Sequence, residues 1–265
     1  MNELANISVV ETERSVNGHT AVCTNIIELI GPPGAGKSTI YKALVDKWTN
    51  RCSWDHQFNQ VKRSRWEKLL RSVSGKKGGD RIKIEKGMEF INTYPGLADF
   101  LWAHLSDVKT YSAEHNDKRF RAAYFIFTDF CKMQSMIEKC IEEPVVIDEG
   151  LLQRSFLLDH DQQRMYKNVT EYIDLIPLPA AVIVADAEKA NVLFSRIKNR
   201  KKIIASHVGL DDFQLYRDLE NWQLLFRMIV ERLEKKRVRV FRINAEEPAT
   251  KNANLIYEFL NALSV

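Results

Sequence analysis

The chain has 265 residues, 45% of them apolar, with 39 Lys and Arg against 35 Asp and Glu and a formal charge of +4 at pH 7. That size supports one large domain with a packed core, and no apolar run reaches the roughly 20 residues that a membrane-spanning helix needs. The four cysteines (Cys23, Cys52, Cys131, Cys140) form no C-x-x-C pair and no histidine stands at zinc-ligand spacing, which argues against a zinc site and for free thiols in a reducing, cytoplasmic setting.

Met1 to His19 is polar and mixed in charge and lacks the apolar core of a signal peptide. Residues 1–22 read as a flexible arm, and residues 23–265 as the folded domain. Ile26-Ile27-Glu28-Leu29-Ile30 reads as a buried strand, and Ile40, Tyr41, Leu44, Val45 and Trp48 follow at helical spacing. Between them stands Gly31-Pro32-Pro33-Gly34-Ala35-Gly36-Lys37-Ser38-Thr39, a match to G-x-x-x-x-G-K-[ST]. Strand, glycine loop and helix together are the context of a phosphate-binding P-loop. Its glycines let backbone N–H groups approach phosphate oxygens, and the helix N-terminus adds further donors. In that reading Lys37 reaches the β- and γ-phosphates, Ser38 places its hydroxyl on Mg²⁺, and Thr39 lies near the α-phosphate.

The stretch from about residue 50 to 143 reads as a mostly helical insertion. Trp66, Leu69, Leu70 and Val73 suggest one short amphipathic helix, before a loop at Ser74–Asp80. Val61 to Lys86 holds ten basic residues against three acids, a local excess of +7. After a break at Tyr94-Pro95-Gly96 come a helix on Leu97, Phe100, Leu101, His104 and Leu105, and a long aromatic one, Phe120 to Ile141, expected to be buried.

Val145-Val146-Ile147 is a β-branched strand delivering Asp148 and Glu149, the Walker B pattern. Asp148 is assigned to metal or base work with Glu149 second; the competing reading is that both acids cap the next helix. Arg154 either contacts a transferring phosphate or lies on a solvated helix face. A strand at Pro179–Asp186 leads to a helix over Glu188–Asn199. Arg196 and Arg200, four apart, are expected on one helix face, either closing over the phosphates or solvated. A helix over Asp211–Lys236, a charged and therefore edge strand over Val238–Asn244, and a helix over Thr250–Leu263 complete the chain. Asn244–Pro248 touches the nucleotide base or is an ordinary helix entry. Alternating strands and helices imply an α/β fold with a parallel sheet covered on both faces, and a ligand at the carboxyl ends of its strands.

With these pieces in this order, the chain resembles the small-molecule P-loop kinases, the broad group holding nucleoside, nucleoside-monophosphate and related metabolite kinases. The resemblance rests on Gly31–Thr39, Asp148, the strand running into Asp186, Arg196, Arg200 and Asn244-Ala245, and covers roughly two thirds of the chain. It implies a P-loop NTPase fold with a five-stranded parallel sheet, the acid-bearing strand beside the loop strand, ATP, Mg²⁺ and an arginine lid. It departs from that group at Asp148-Glu149-Gly150, where an Asp-Arg or Glu-Arg pair is usual. The first expectation is a kinase for a small, anionic or nucleotide-like acceptor. Second comes an NTPase coupled to nucleic acid through residues 61–86, with Trp54, Phe58 and Trp66 interleaved for base stacking.

Overall fold

A computed structural model describes residues 22–48, 53–57, 82–107, 116–139, 144–158, 162–200 and 207–263. At its centre is β1 (Val22–Ile30), whose side chains from Ile26 to Ile30 alternate between two buried layers. Ile27 and Leu29 enter one and Ile26 and Ile30 the other, all at most 1% exposed. A parallel strand covered on both faces carries such a near-continuous apolar run. β2 (Asp55–His56) pairs with β3 (Val145–Ile147), and β3 pairs with β1, placing Ile147 opposite Glu28. On the other side β4 (Leu178–Asp186) places Val182 opposite Glu28, and β5 (Arg239–Asn244) closes that edge. All pairings are parallel, in the order β2-β3-β1-β4-β5. The chain steps out from β1 to β2, back to β3, then across to β4. The carboxyl ends of β1, β3 and β4 therefore meet where the winding reverses, the usual place for a ligand in such a sheet.

Helices α1 (Lys37–Val45), α6 (Ala190–Lys198) and α8 (Ala249–Leu263) cover the Ile27 face through Ile40, Leu44, Leu193, Ile256 and Leu260. The Ile26 face is covered by α2 (82–93), α3 (Pro95–Ser106), α4 (Asn116–Lys139) and α5 (Gln162–Leu175) through Phe90, Leu97, Phe130, Met165 and Tyr172. α7 (Asp212–Lys235) serves both layers, giving Leu215 and Leu219 to one and Leu225 and Phe226 to the other. A capping box at its start, Asp211 with Gln214, satisfies its leading amides.

Four expectations change. β2 lies inside the stretch read as helical; two polar residues carry no alternation to read, and the strand exists because β3 offers an edge. α5 was not anticipated, although Met165, Val169, Tyr172 and Ile173 mark its buried face. α4 is amphipathic rather than buried, with Phe120 and Tyr124 exposed and Ile126, Phe130 and Met133 inside. β1 begins at Val22, one residue inside the expected arm, while residues 1–21, the Trp66 helix and the Ser74–Asp80 loop lie outside the described residues. No helix among the described residues is long and apolar enough to cross a membrane.

Tyr41 ties three elements together. Its hydroxyl donates to the carbonyl of Val146 (3.0 Å) and accepts the N–H of Gln57 (3.1 Å), joining α1, β3 and the end of β2. Tyr41→Phe leaves both backbone groups without this partner and is expected to cost about 1–3 kcal/mol, read as a lower urea midpoint at unchanged m-value.

Candidate functional site

The loop between β1 and α1 is shaped by positive-φ glycines: Gly31 at 150°, Gly34 at 89° and Gly36 at 77°. At Gly34 a Cβ would also stand 2.8 Å from the carbonyl oxygen of Leu193, so both backbone angle and packing demand glycine. Gly36 is the N-cap of α1, and no side-chain oxygen caps its leading amides. Those amides and the positive end of the helix favour an anion. The Lys37 ammonium crosses the loop to the carbonyls of Gly31 (2.6 Å) and Pro32 (3.1 Å). Burial pulls it down to about 8; Glu149 opposes the drop, Arg200 adds to it and Asp148 opposes it.

At the end of β3, Asp148 is half-buried and Glu149 exposed. Gln57 grips Asp148 at two points: its Nε2 donates to Oδ1 (2.5 Å), and its Oε1 accepts the Asp148 N–H (3.4 Å). Burial raises the Asp148 carboxyl, the Gln57 bond opposes this, Glu149 raises it further and Lys37 lowers it. Among the described residues no cluster of three or more His, Cys, Asp or Glu could enclose a metal. A hydroxyl at Ser38 and one held carboxylate at Asp148 instead fit Mg²⁺, which keeps most of its waters and binds through one or two protein oxygens plus phosphate.

Beyond Glu149 the chain turns back over β1. Glu28, 2% exposed in mid-strand, receives that turn: its Oε1 accepts the N–H of Gly150 (3.0 Å) and Gln153 (2.7 Å), and its Oε2 that of Leu152 (3.2 Å). A Cβ on Gly150 would stand 2.6 Å from the Glu28 carboxyl carbon, so a side chain there would displace that carboxylate. Burial pushes Glu28 up to about 7, against the three N–H bonds, with the charge of Asp129 adding to the rise. Gln153 sends its Oε1 to the N–H of Gly31 (3.0 Å). Arg154 is held in place by several partners. Its guanidinium pairs with the buried Asp129 of α4, donates to Glu149 (3.1 Å) and sits 5.2 Å and 5.8 Å from the ring centres of Phe125 and Phe156.

Two cavities flank the loop. One, of about 370 Å³, runs from Gly34, Lys37 and Ser38 to Arg121, Phe125, Glu149, Gln153, Arg154, Phe156 and Trp222. The other, of about 270 Å³, is bounded by Ala35, Ile40, Arg196, Ala245, Glu247 and Ala249. Gly34, Gly36, Thr39 and Arg200 line both. Arg196 donates to the carbonyl of Gly34 (3.4 Å). The expected shared helix face is corrected: α6 ends at Lys198, and Arg200 lies past the cap at Asn199. After the buried Ile197, Lys198, Asn199 and Arg200 are all exposed, so no apolar contact holds this stretch in the helix. Both arginines nonetheless reach one cavity wall.

Gln57, Asp129, Glu28 and Gln153 were not assigned from sequence; Glu28 alone carried a signal, a carboxylate interrupting a buried apolar strand. Of the basic segment only residues 82–86 are described, and there Lys86 is engaged by Glu89 and Glu138.

No protein-family model matches the chain, and no curated protein sequence matches it. Solved structures similar to it include deoxyadenosine kinase from M. mycoides (16% identity, 89% of this chain and 99% of that one, TM-score 0.45). Shikimate kinase from Bacteroides thetaiotaomicron is another (16% identity, 89% and 98%, TM-score 0.37).

Glu28 makes stability depend on pH in a defined direction. Its carboxyl titrates near 4.5 when unfolded and about 7 when folded. The stability it contributes is full below pH 4.5 and is lost as pH rises through 7, a change on the order of 3 kcal/mol. Glu28→Gln is expected to lack this component, which urea unfolding of both proteins across that range checks.

Proposed function

We propose that this chain is a phosphotransferase that moves the γ-phosphoryl group of ATP to a small acceptor. The observation that carries the reading is the pair of cavities sharing Gly34, Gly36, Thr39 and Arg200, one on each side of the phosphate loop. A hydrolase needs one chamber and a water; two chambers meeting at a phosphate loop suit a donor and an acceptor. The nucleoside end of ATP takes the chamber at Ala245 and Glu247, and its phosphates lie along Gly31–Thr39. The acceptor takes the larger chamber, where Arg121 favours an anionic one.

Phosphoryl transfer is largely positioning plus neutralisation of charge on the equatorial oxygens. Lys37 and Arg200 supply positive charge where the chambers meet. Arg196, docked on Gly34, braces the loop. Ser38 and Asp148 would hold Mg²⁺, which when bound neutralises the β- and γ-phosphate oxygens. Glu149 lines the acceptor chamber and accepts the proton of the attacking hydroxyl, its position fixed by Arg154, which Asp129 in turn holds.

Incubation with γ-labelled ATP, Mg²⁺ and a pool of nucleosides, nucleotides, sugar phosphates and short RNA is expected to place label on one small-molecule class. Label released only as inorganic phosphate and stimulated by RNA would replace this reading with a nucleic-acid-coupled NTPase. Lys37→Ala is expected to abolish measurable ATP binding; unchanged affinity would retire the phosphate loop. Arg200→Ala is expected to lower turnover on the order of 10³-fold, and Arg196→Ala far less, because its guanidinium engages the loop rather than both chambers. Steady-state kinetics of the two variants compares them.

A further inference from the structure

Glu28 has no part in the chemistry above, yet it is a carboxylate buried in the middle of the central strand. What it touches is specific. Among the described residues, the three hydrogen bonds of its carboxylate go to the backbone amides of Gly150, Leu152 and Gln153, all within one turn. That turn begins directly after Asp148 and Glu149 and ends at Gln153, whose side chain accepts the first amide of the phosphate loop. Glu28 thus lies three residues before Gly31 along the chain and reaches it a second time through Gln153. The route encloses the joint between the acid-bearing turn and the phosphate loop.

We propose that Glu28 is a positioning residue for phosphoryl transfer, its carboxylate holding the 150–153 turn so that Gln153 fixes the Gly31 amide and the acidic pair keeps its register against the phosphate loop. This rests on the phosphotransferase reading. The arrangement is more than a buried polar group finding partners. A carboxylate satisfied by any three donors would stabilise the fold equally well. Here the donors belong to the one segment that carries Glu149 at one end and Gln153 and Arg154 at the other. Ionised, the carboxylate offers acceptors to all three amides. A carboxamide offers one oxygen and turns an NH₂ group toward an amide donor. The isosteric Glu28→Gln therefore loosens the turn while filling the same volume.

The test compares wild type, Glu28→Gln, Gln153→Ala and the double variant. Three quantities are read: hydrogen exchange at the Gly31 amide, MgADP affinity by calorimetry, and single-turnover ATP hydrolysis per folded molecule. Both single variants are expected to speed Gly31 exchange and slow hydrolysis at least tenfold, with MgADP affinity changed less than threefold. The double variant should lose no more than the larger single loss, since both act on one link. A purely structural role would lower the unfolding midpoint and leave hydrolysis per folded molecule unchanged, and that outcome overturns the proposal. If Glu28→Gln fails to fold, Gln153→Ala decides the matter from the other end of the link. Wild-type protein that binds no MgADP would remove the phosphotransferase reading and this inference with it. Wild type that binds and hydrolyses, beside variants that match it, removes the inference alone.

Discussion

A carboxylate in a sheet interior costs several kcal/mol unless donors surround it. Glu28 is where this protein accommodates that cost, and much of the site's geometry follows. Its neighbours Ile26 and Ile30 enter the same apolar layer, so the strand offers the carboxylate nothing. The donors come from the turn after β3, which must fold back over β1 to deliver them. That fold-back leaves no room for a side chain at Gly150, brings Gln153 to the Gly31–Thr39 loop, and leaves Glu149 and Arg154 side by side at the rim of the larger cavity.

Charge around the cavity is organised in the same way, by partners lying one layer deeper. Arg154 would be an unspecific cation were it not gripped by Asp129 from below and flanked by Phe125 and Phe156. So held, it serves as a fixed support for Glu149. Burial raises the carboxyl of Asp129 while Arg154 opposes the rise, so each member of the pair lessens the other's desolvation. Gln57 does for Asp148 with a neutral amide what Arg154 does for Glu149 with a charge. Two adjacent carboxylates are thereby placed in different surroundings, one half-buried and one exposed, which is how neighbouring acids come to serve different tasks.

What could be read from sequence divides by distance along the chain. The strand, loop and helix around Gly31–Thr39 were legible because they are contiguous and each obeys a local steric or hydrogen-bonding rule. Strands β3, β4 and β5 were legible through β-branched runs, and the charges of Arg239 and Arg242 marked an edge. Gln57 and Asp129 were not, because each is meaningful only through a partner 91 or 25 residues away. Arg200 was placed on a helix by its spacing, a rule that holds only while apolar residues keep the helix packed. Helix α5 is a different case: Met165, Val169 and Tyr172 stand at the spacing of a buried helix face, so its signal is local.

The two borders of the sheet have a bearing on how the chain behaves at high concentration. A parallel sheet leaves a row of unpaired backbone groups at each outer strand, an invitation to edge-to-edge aggregation. Here β2 is two residues long, too short to template another chain, and β5 presents exposed Arg239 and Arg242 along its length, Arg242 paired with Glu234 (2.6 Å). Two copies meeting through β5 would have to desolvate Arg239 and the Arg242–Glu234 pair at the seam, and that cost opposes the growth of a continuous sheet.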